Sequence, residues 1–210
     1  MIGEKKFECL LPETARVLNI FIKNAPFLSD YVLVGGSALA MHLCHRKSED
    51  LDFFTFSDSY NKHEILDFLG SFKNSEIINE TKDQIDILCD SVKVTFFNAK
   101  WNFLKPDRLE KFNIASIESI AAMKINVIFL RAKYRDYYDI YFITKEKMSL
   151  DEIFKQAKNV VAGITEKLFY IALTYIDDIE DDIILHLDPI EIISKEEIRA
   201  FFENKLMLMK

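Results

Sequence analysis

Apolar residues recur at two different spacings along the first half of the chain. A helical spacing covers 12–24, and short apolar runs typical of buried strands occupy 31–36 and 51–56. The stretch 37–44 between these runs has the composition of a helix, with Ser37 placed to cap its N-terminus. The pattern therefore predicts a helix, a strand, a second helix and a second strand, in that order.

A third helix and a meander of short strands are predicted next. Apolar positions at 60–72 favour the helix. Turn-forming residues then separate three strand candidates, at 75–81, 84–90 and 92–98.

After Pro106 the pattern becomes helical. Residues 116–147 predict two helices with a break near 131–134. Three more amphipathic helices follow, at 150–161, 164–177 and 194–209. We therefore expect an α+β fold, with a mixed sheet flanked by helices and then a C-terminal helical region. The expected boundary gives an α/β core with its N-terminal helix at 1–110 and a helical region at 111–210.

Charge and hydropathy exclude several classes of function. The 210 residues include 34 acidic and 27 basic side chains, a net charge of −7, so a generic electropositive nucleic-acid binder is not expected. No apolar run approaches the roughly 18 residues of a membrane span. The first residues also lack the apolar region of a signal peptide. We therefore expect no association with membranes.

Three cysteines, Cys9, Cys44 and Cys89, lie far apart and form no CxxC pair. Their odd number and wide spacing argue against a disulfide framework and against a zinc knuckle. The pattern predicts a cytoplasmic protein in a reducing environment.

The sequence VLVGGSALA carries the first chemical signal. A strand that ends in Gly-Gly-Ser and enters a helix presents backbone N–H groups at a positive dipole end, where a phosphate can bind. Gly36 lets the backbone approach a ligand closely, and Ser37 can add a hydroxyl. Taken alone, such a turn is also explained by tight packing.

The sequence SEDLDFF carries the second signal. On a strand, Asp50 and Asp52 project to the same face while Leu51 points to the core. Two adjacent carboxylates suit Mg²⁺ or Mn²⁺, with water and substrate phosphates completing the coordination. A solvent-exposed strand start is the alternative. If the two strands are neighbours, the phosphate and metal sites lie at the same edge of the sheet, where a triphosphate would bridge them.

Two segments resemble a known family. GGSALAMHLCHRKSEDLDFF is similar to the first motif of the AbiEii/AbiGii toxin family of nucleotidyltransferases, within the DNA-polymerase-beta-like superfamily. IAAMKINVIFLRAKYRDYYDIYFI resembles the second block of that family. The resemblance covers roughly residues 30 to 145 and implies a nucleotidyltransferase-like sheet whose active site is completed by the helical region packed on it.

The resemblance also implies roles for individual residues. Gly36 and Ser37 would bind the triphosphate, and Asp50 and Asp52 would be the metal ligands. Lys124 would contact the phosphates or the nucleotide, and Asp139 with Asp136 would be further catalytic residues. Arg131 and Arg135 would contact an anionic substrate, and Ser48 would make a minor contribution to nucleotide binding.

The implied reaction is transfer of a nucleoside monophosphate from an NTP to an acceptor hydroxyl. Some relatives modify the 3′ end of tRNA, and protein or small-molecule hydroxyls are other candidate acceptors. A basic patch of Lys124, Arg131, Lys133 and Arg135 would assist RNA binding. The resemblance further implies a toxin with a cognate antitoxin, and it leaves the oligomeric state open.

One departure from the superfamily pattern supports a different function. A third carboxylate is expected on the strand VKVTFF, where Thr95 stands instead. Asp86 and Asp90 are close in sequence, but their spacing does not place them in the site. The alternative is a degenerate module that binds nucleotide or a partner protein without transfer. The missing third acid also argues against two-metal catalysis.

The residues of the helical block can also be interpreted without the family resemblance. Asp136 and Asp139 share a helix face with Arg135 beside them, as in a solvated salt-bridge network. The aromatic residues between 134 and 142 favour a core stripe over a base-stacking platform. Lys124 lies among apolar residues, which is typical of a snorkelling lysine as well as of one aimed into a pocket.

Overall fold

The computed structural model describes residues 6–55, 60–101, 103–104, 106–109, 112–179 and 184–207. The chain divides into two compact units, Met1–Ser116 and Ile117–Lys210.

The first unit contains the sheet. Its helices are α1 (Pro12–Asn24), α2 (Gly35–Leu43) and α3 (Lys62–Phe68), with short 3₁₀ helices at Pro26–Asp30 and Leu69–Ser71. Its strands are β1 (Tyr31–Val34), β2 (Leu51–Thr55), β3 (Ser75–Glu80), β4 (Gln84–Cys89), β5 (Val92–Phe97), β6 (Pro106–Leu109) and β7 (Phe112–Ala115).

In the described part of the chain these strands form one mixed sheet, in the order β3-β4-β5-β2-β1-β7-β6. Strand β1 runs antiparallel to β2 and parallel to β7, and β2 runs parallel to β5. The strand pairs β3–β4 and β4–β5 are the antiparallel meander that the sequence predicts. The α+β class with a mixed sheet is confirmed.

The segment after Pro106 corrects one prediction. Instead of turning helical at once, the chain forms the antiparallel pair β6–β7, and β7 joins the sheet beside β1. Asn113 fixes this junction, because its Nδ2 donates to the carbonyl oxygens of Ser29 and Tyr31, at 2.9 and 3.1 Å. Strands of only four residues are too short for the alternation of apolar and polar residues to be recognised, and the pairing of β7 with β1 is a long-range contact.

An aromatic core covers one face of the sheet. Phe53 on β2 pairs in register with Phe96 on β5, and their rings stack at 5.1 Å between centroids. Phe21 of α1 contacts both rings, at 5.8 and 5.7 Å. Residues on the other side of β2 and β5, such as Asp52 and Thr95, therefore share the opposite face.

A disulfide bond joins Cys9 to Cys44, with the Cα atoms 5.2 Å apart. The cysteine spacing argued against a disulfide framework and did not predict this single bond, since sequence spacing does not show which cysteines meet in space. Cys44 lies at the C-terminal cap of α2 in a left-handed conformation, so the bond ties that cap to the chain before α1. Cys89 is a buried free thiol.

The second unit is helical. It contains α4 (Ile117–Leu130), α5 (Tyr134–Glu146), α6 (Leu150–Ala157), α7 (Glu166–Thr174) and α8 (Lys195–Leu206), with 3₁₀ helices at Tyr175–Asp178 and Leu185–Leu187. The predicted break falls between α4 and α5. Tyr137, Tyr138 and Phe142 are fully buried, as the core interpretation of the aromatic stripe predicts.

None of the helices in the described residues is both long enough and apolar enough to cross a membrane.

Candidate active site

The turn between β1 and α2 is the centre of the site. Strand β1 ends at Val34, and Gly35 opens the helix with φ +69°, a left-handed value that favours glycine. The helix therefore begins two residues earlier than predicted, and Ser37 is not its N-cap. The hydroxyl of Ser37 instead donates to the backbone carbonyl oxygen of Asp50, which attaches the start of β2 to the turn.

The carboxylate of Asp52 lies against this turn. Val34 and Asp52 are register partners on β1 and β2. A Cβ atom on Gly35 would lie only 2.7 Å from Oδ2 of Asp52, so the absence of a side chain at Gly35 makes room for the carboxylate. The turn and the second carboxylate of the DxD pair therefore meet at one edge of the sheet.

A buried cation flanks the next glycine. A Cβ on Gly36 would lie 3.0 Å from Nη2 of Arg46 and 3.1 Å from Oγ of Ser48. Arg46 is only 3% exposed, and its Nη1 donates to the carbonyl oxygen of Lys47 at 2.9 Å. Sequence reasoning missed Arg46. The signal available was a basic residue four positions before Asp50, which shows its meaning only once the loop folds back onto the turn.

The carboxylate pair fits a hard divalent cation. Asp50 and Asp52 are both half-buried, and Asp52 occupies the space that a Cβ on Gly35 would fill. In the described residues no group of three or more His, Cys, Asp or Glu side chains could hold a metal ion. Two carboxylates with water and phosphate oxygens are the ligand set that Mg²⁺ usually takes, so these residues could hold Mg²⁺ or Mn²⁺.

The strands beside β2 place the residues that sequence spacing left unassigned. Thr95 is the register partner of Asp52 on one side and of Asp86 on the other. The Thr95 hydroxyl donates to Oδ1 of Asp86 at 2.8 Å. Asp90 makes different contacts, since its carboxylate accepts hydrogen bonds from the Arg16 guanidinium and from the backbone N–H of Asn74, both at 2.9 Å.

A separate ion cluster lies within the second unit. Nζ of Lys124 is 2.8 Å from Oδ1 of Asp136 and 2.7 Å from Oδ2 of Asp139, and both carboxylate side chains are 0% exposed. Arg131, at the surface, is 3.6 Å from Asp136. The network is therefore buried, not the solvated one that the helical spacing suggests. Lys124 is only 6% exposed, so it cannot be part of an exposed basic patch.

Arg135 is half-buried on α5. The catalytic roles of Lys124, Asp136 and Asp139, and the substrate contacts of Arg131 and Arg135, stay predictions.

Comparison with solved structures identifies the class of fold. JHP933 from Helicobacter pylori superposes with a TM-score of 0.62 at 20% identity, over 95% of this chain and 93% of that one. The nucleotidyltransferase toxin MenT4 from Mycobacterium tuberculosis H37Rv gives 0.60 at 15% identity, over 98% and 86%. At these identities the likeness establishes the fold, which is that of a nucleotidyltransferase.

The family follows from the sequence. The model of the family described as nucleotidyl transferase AbiEii toxin, type IV TA system, matches residues 16–100 and 102–205. The chain therefore belongs to the AbiEii family of nucleotidyltransferase toxins. An uncharacterized protein of Aquifex aeolicus (strain VF5) is 28% identical over 183 residues, which are 85% of this chain and 87% of that protein.

Proposed function

We propose that this protein transfers a nucleoside monophosphate from an NTP to an acceptor hydroxyl and acts as the toxin of a toxin–antitoxin pair. The observation that carries the proposal is the close approach of the Asp52 carboxylate to Gly35 at the turn between β1 and α2. An anion-binding turn and a cation-binding carboxylate at one sheet edge are what an NTP–metal complex requires.

The triphosphate would lie on the turn. Backbone N–H groups at the start of the nine-residue helix α2 point to this position. Arg46 adds a full positive charge beside Gly36, and a guanidinium bonds phosphate oxygens in pairs. Ser37 would contribute indirectly: its hydroxyl donates to the backbone carbonyl oxygen of Asp50 and so fixes the segment that carries Asp50 and Asp52.

Asp50 and Asp52 would hold Mg²⁺ or Mn²⁺. A bound divalent cation neutralises phosphate charge and helps to orient the triphosphate. The contribution of the chain itself would be positioning: strand β2 holds Asp52, Asp50 directly precedes that strand, and the glycine turn would fix the phosphates relative to them.

The acceptor is proposed to be the 3′ hydroxyl of an RNA, with tRNA as the first candidate. This part of the proposal is supported by the family resemblance. The net charge of −7 means that an RNA would have to bind a local basic surface. The partner expected of a toxin in this family is a cognate antitoxin.

The test is a labelling assay. The protein is incubated with each α-labelled NTP, Mg²⁺ and either total tRNA or cell extract, and labelled products are separated by size. We expect transfer by the wild type and none by the Asp52→Asn variant, because one of the two metal-binding carboxylates is lost. Asp90→Asn is the matched control, since its carboxylate accepts hydrogen bonds from Arg16 and from the backbone N–H of Asn74.

The possible results separate the alternatives. Transfer that persists in Asp52→Asn would overturn the proposal. Saturable binding of NTP without transfer to any acceptor would instead establish the degenerate binding module. The same assay checks Arg46: Arg46→Gln should raise KM for the NTP roughly tenfold or more, since a hydrogen bond to a charged group contributes about 1.5–3 kcal/mol.

A further inference from the structure

A row of polar side chains crosses the sheet beside the candidate metal site. Strand register places Asp52, Thr95, Asp86 and Asn79 next to one another on β2, β5, β4 and β3. Directly paired residues project to the same face of a sheet, and here that face is opposite the aromatic core of Phe53 and Phe96. Thr95 is therefore the immediate lateral neighbour of Asp52.

Asp86 is held by neutral donors on three sides. Its Oδ1 accepts from Thr95 at 2.8 Å, its Oδ2 accepts from Asn79 at 3.1 Å, and Nε2 of Gln84 lies 2.9 Å from both oxygens. These hydrogen bonds hold Asp86 in a fixed position as an acceptor, and the residue is only 7% exposed.

The fixed acceptor determines how Thr95 presents its hydroxyl. A hydroxyl has one hydrogen to donate and two lone pairs, and in Thr95 the hydrogen is donated to Asp86. The lone pairs are then left for a group on the other side, where β2 carries Asp52. A hydroxyl that donates to a carboxylate is also more electron-rich, because hydrogen bonds in a chain polarise one another.

We propose that Thr95 supplies a third, neutral oxygen to the metal site of Asp50 and Asp52, and that Asp86 is the positioning residue that orients it. The inference rests on the proposed function. Because the described residues offer no third carboxylate at this position, a neutral oxygen would complete the set without adding negative charge. A site with two carboxylates and one hydroxyl suits a single divalent ion that retains waters and phosphate oxygens.

Metal affinity tests the inference without measuring catalysis. Mn²⁺ binding to the 210-residue chain is followed by electron paramagnetic resonance in the absence of nucleotide. Thr95→Val keeps the side-chain shape and removes the hydroxyl, and we expect it to weaken Mn²⁺ binding about tenfold. Thr95→Ser keeps the hydroxyl and should bind as the wild type does. Circular dichroism and thermal unfolding check the fold, and Thr95→Ala replaces the valine variant if that variant unfolds.

Asp86 is tested through its dependence on Thr95. Asp86→Asn should also weaken Mn²⁺ binding about tenfold, since partners behind a metal ligand typically change affinity by 10- to 100-fold. The double variant Asp86→Asn/Thr95→Val should bind no more weakly than Thr95→Val alone, because Asp86 acts through the hydroxyl. Asp90→Asn, a carboxylate in the same β4–β5 hairpin, is the matched control and should leave binding unchanged.

The outcomes distinguish this inference from the proposed function. If the wild type binds Mn²⁺ and Asp52→Asn does not, the result supports a metal site at Asp50 and Asp52. In that case, binding by Thr95→Val or Asp86→Asn at wild-type affinity overturns the inference alone. If the wild type binds no Mn²⁺, or if Asp52→Asn binds as well as the wild type, the metal site and the inference both fail.

Discussion

Lys124 is a positive charge in the interior of the second unit. Asp136 and Asp139 contact its ammonium group at 2.8 and 2.7 Å, and neither carboxylate is exposed. A buried ion network is not in itself strongly stabilising, but removing one partner leaves buried charge that the rest of the network compensates only in part. Lys124 is therefore structurally important whatever its chemical role.

Replacing Lys124 tests this view. Lys124→Met keeps the length of the side chain and removes its charge, and we expect the free energy of unfolding to fall by about 3–5 kcal/mol. The control is Lys145→Met, because Lys145 pairs with Glu191 at the surface, where the two side chains are 39% and 44% exposed. That variant should cost less than about 1 kcal/mol. Urea denaturation measures both, and equal losses would contradict the prediction.

The expected instability affects how catalytic variants are interpreted. Loss of transfer in a Lys124 variant would not by itself assign a catalytic role, since the same change removes the partner of Asp136 and Asp139. Substitutions at Asp52 and Arg46 are more informative at the level of single residues.

At the scale of elements, the strand-to-helix connection between β1 and α2 depends on backbone conformation and on space. Gly35 combines a left-handed φ of +69° with the close approach of Asp52 Oδ2. Gly163 has a similar φ of +72°, but a Cβ there would meet no heavy atom within 4 Å. The two glycines thus separate the effect of strain from the effect of a clash.

Alanine substitutions at both positions make the comparison. Gly163→Ala should lower stability by roughly 1–2 kcal/mol, the cost of the left-handed conformation. Gly35→Ala should lower stability by more than Gly163→Ala and should also abolish Mn²⁺ binding, because the new Cβ displaces the Asp52 carboxylate. Thermal unfolding and Mn²⁺ titration are the measurements. Unchanged Mn²⁺ affinity in Gly35→Ala would show that Asp52 does not need its position against the turn.

At the scale of the whole molecule, the three cysteines report on how the chain is folded. Cys9 and Cys44 are bonded across a sequence separation of 35 residues. Cys89 is buried on β4, and burial raises the pKa of its thiol to about 12. Since the thiolate is the reactive form, a native Cys89 is protonated and unreactive near pH 8.

Alkylation with iodoacetamide at pH 8 should therefore proceed in three stages. The native protein should take up no label, the chain unfolded without reductant should be labelled at Cys89 only, and the unfolded and reduced chain should be labelled at all three cysteines. Mass spectrometry of peptides reads out each stage. Labelling of Cys9 or Cys44 before reduction would show that the bond is absent in the protein.

Much of the fold and part of the site are accessible from sequence because they depend on local patterns. The order strand, turn, helix, strand around VLVGGSALA follows from periodicity and from glycine, and the structure keeps it with a shift of two residues at the start of α2. The spacing of Asp50 and Asp52 predicts a common face for their side chains, because a strand alternates its side chains; Asp52 lies on β2 and Asp50 directly precedes it. The break between α4 and α5 is local in the same sense.

Tertiary structure decided the features that depend on contacts between distant segments. It placed β7 beside β1 and β6 at the outer edge of the sheet, joined Cys9 to Cys44, and placed Arg46 against Gly36. It also set the register that puts Thr95 between Asp52 and Asp86. Periodicity along one segment carries no information about which residue of another segment lies opposite it, because register is fixed by the packing of the whole sheet. The sequence by itself therefore determined the class of chemistry, and the fold decided which side chains surround it.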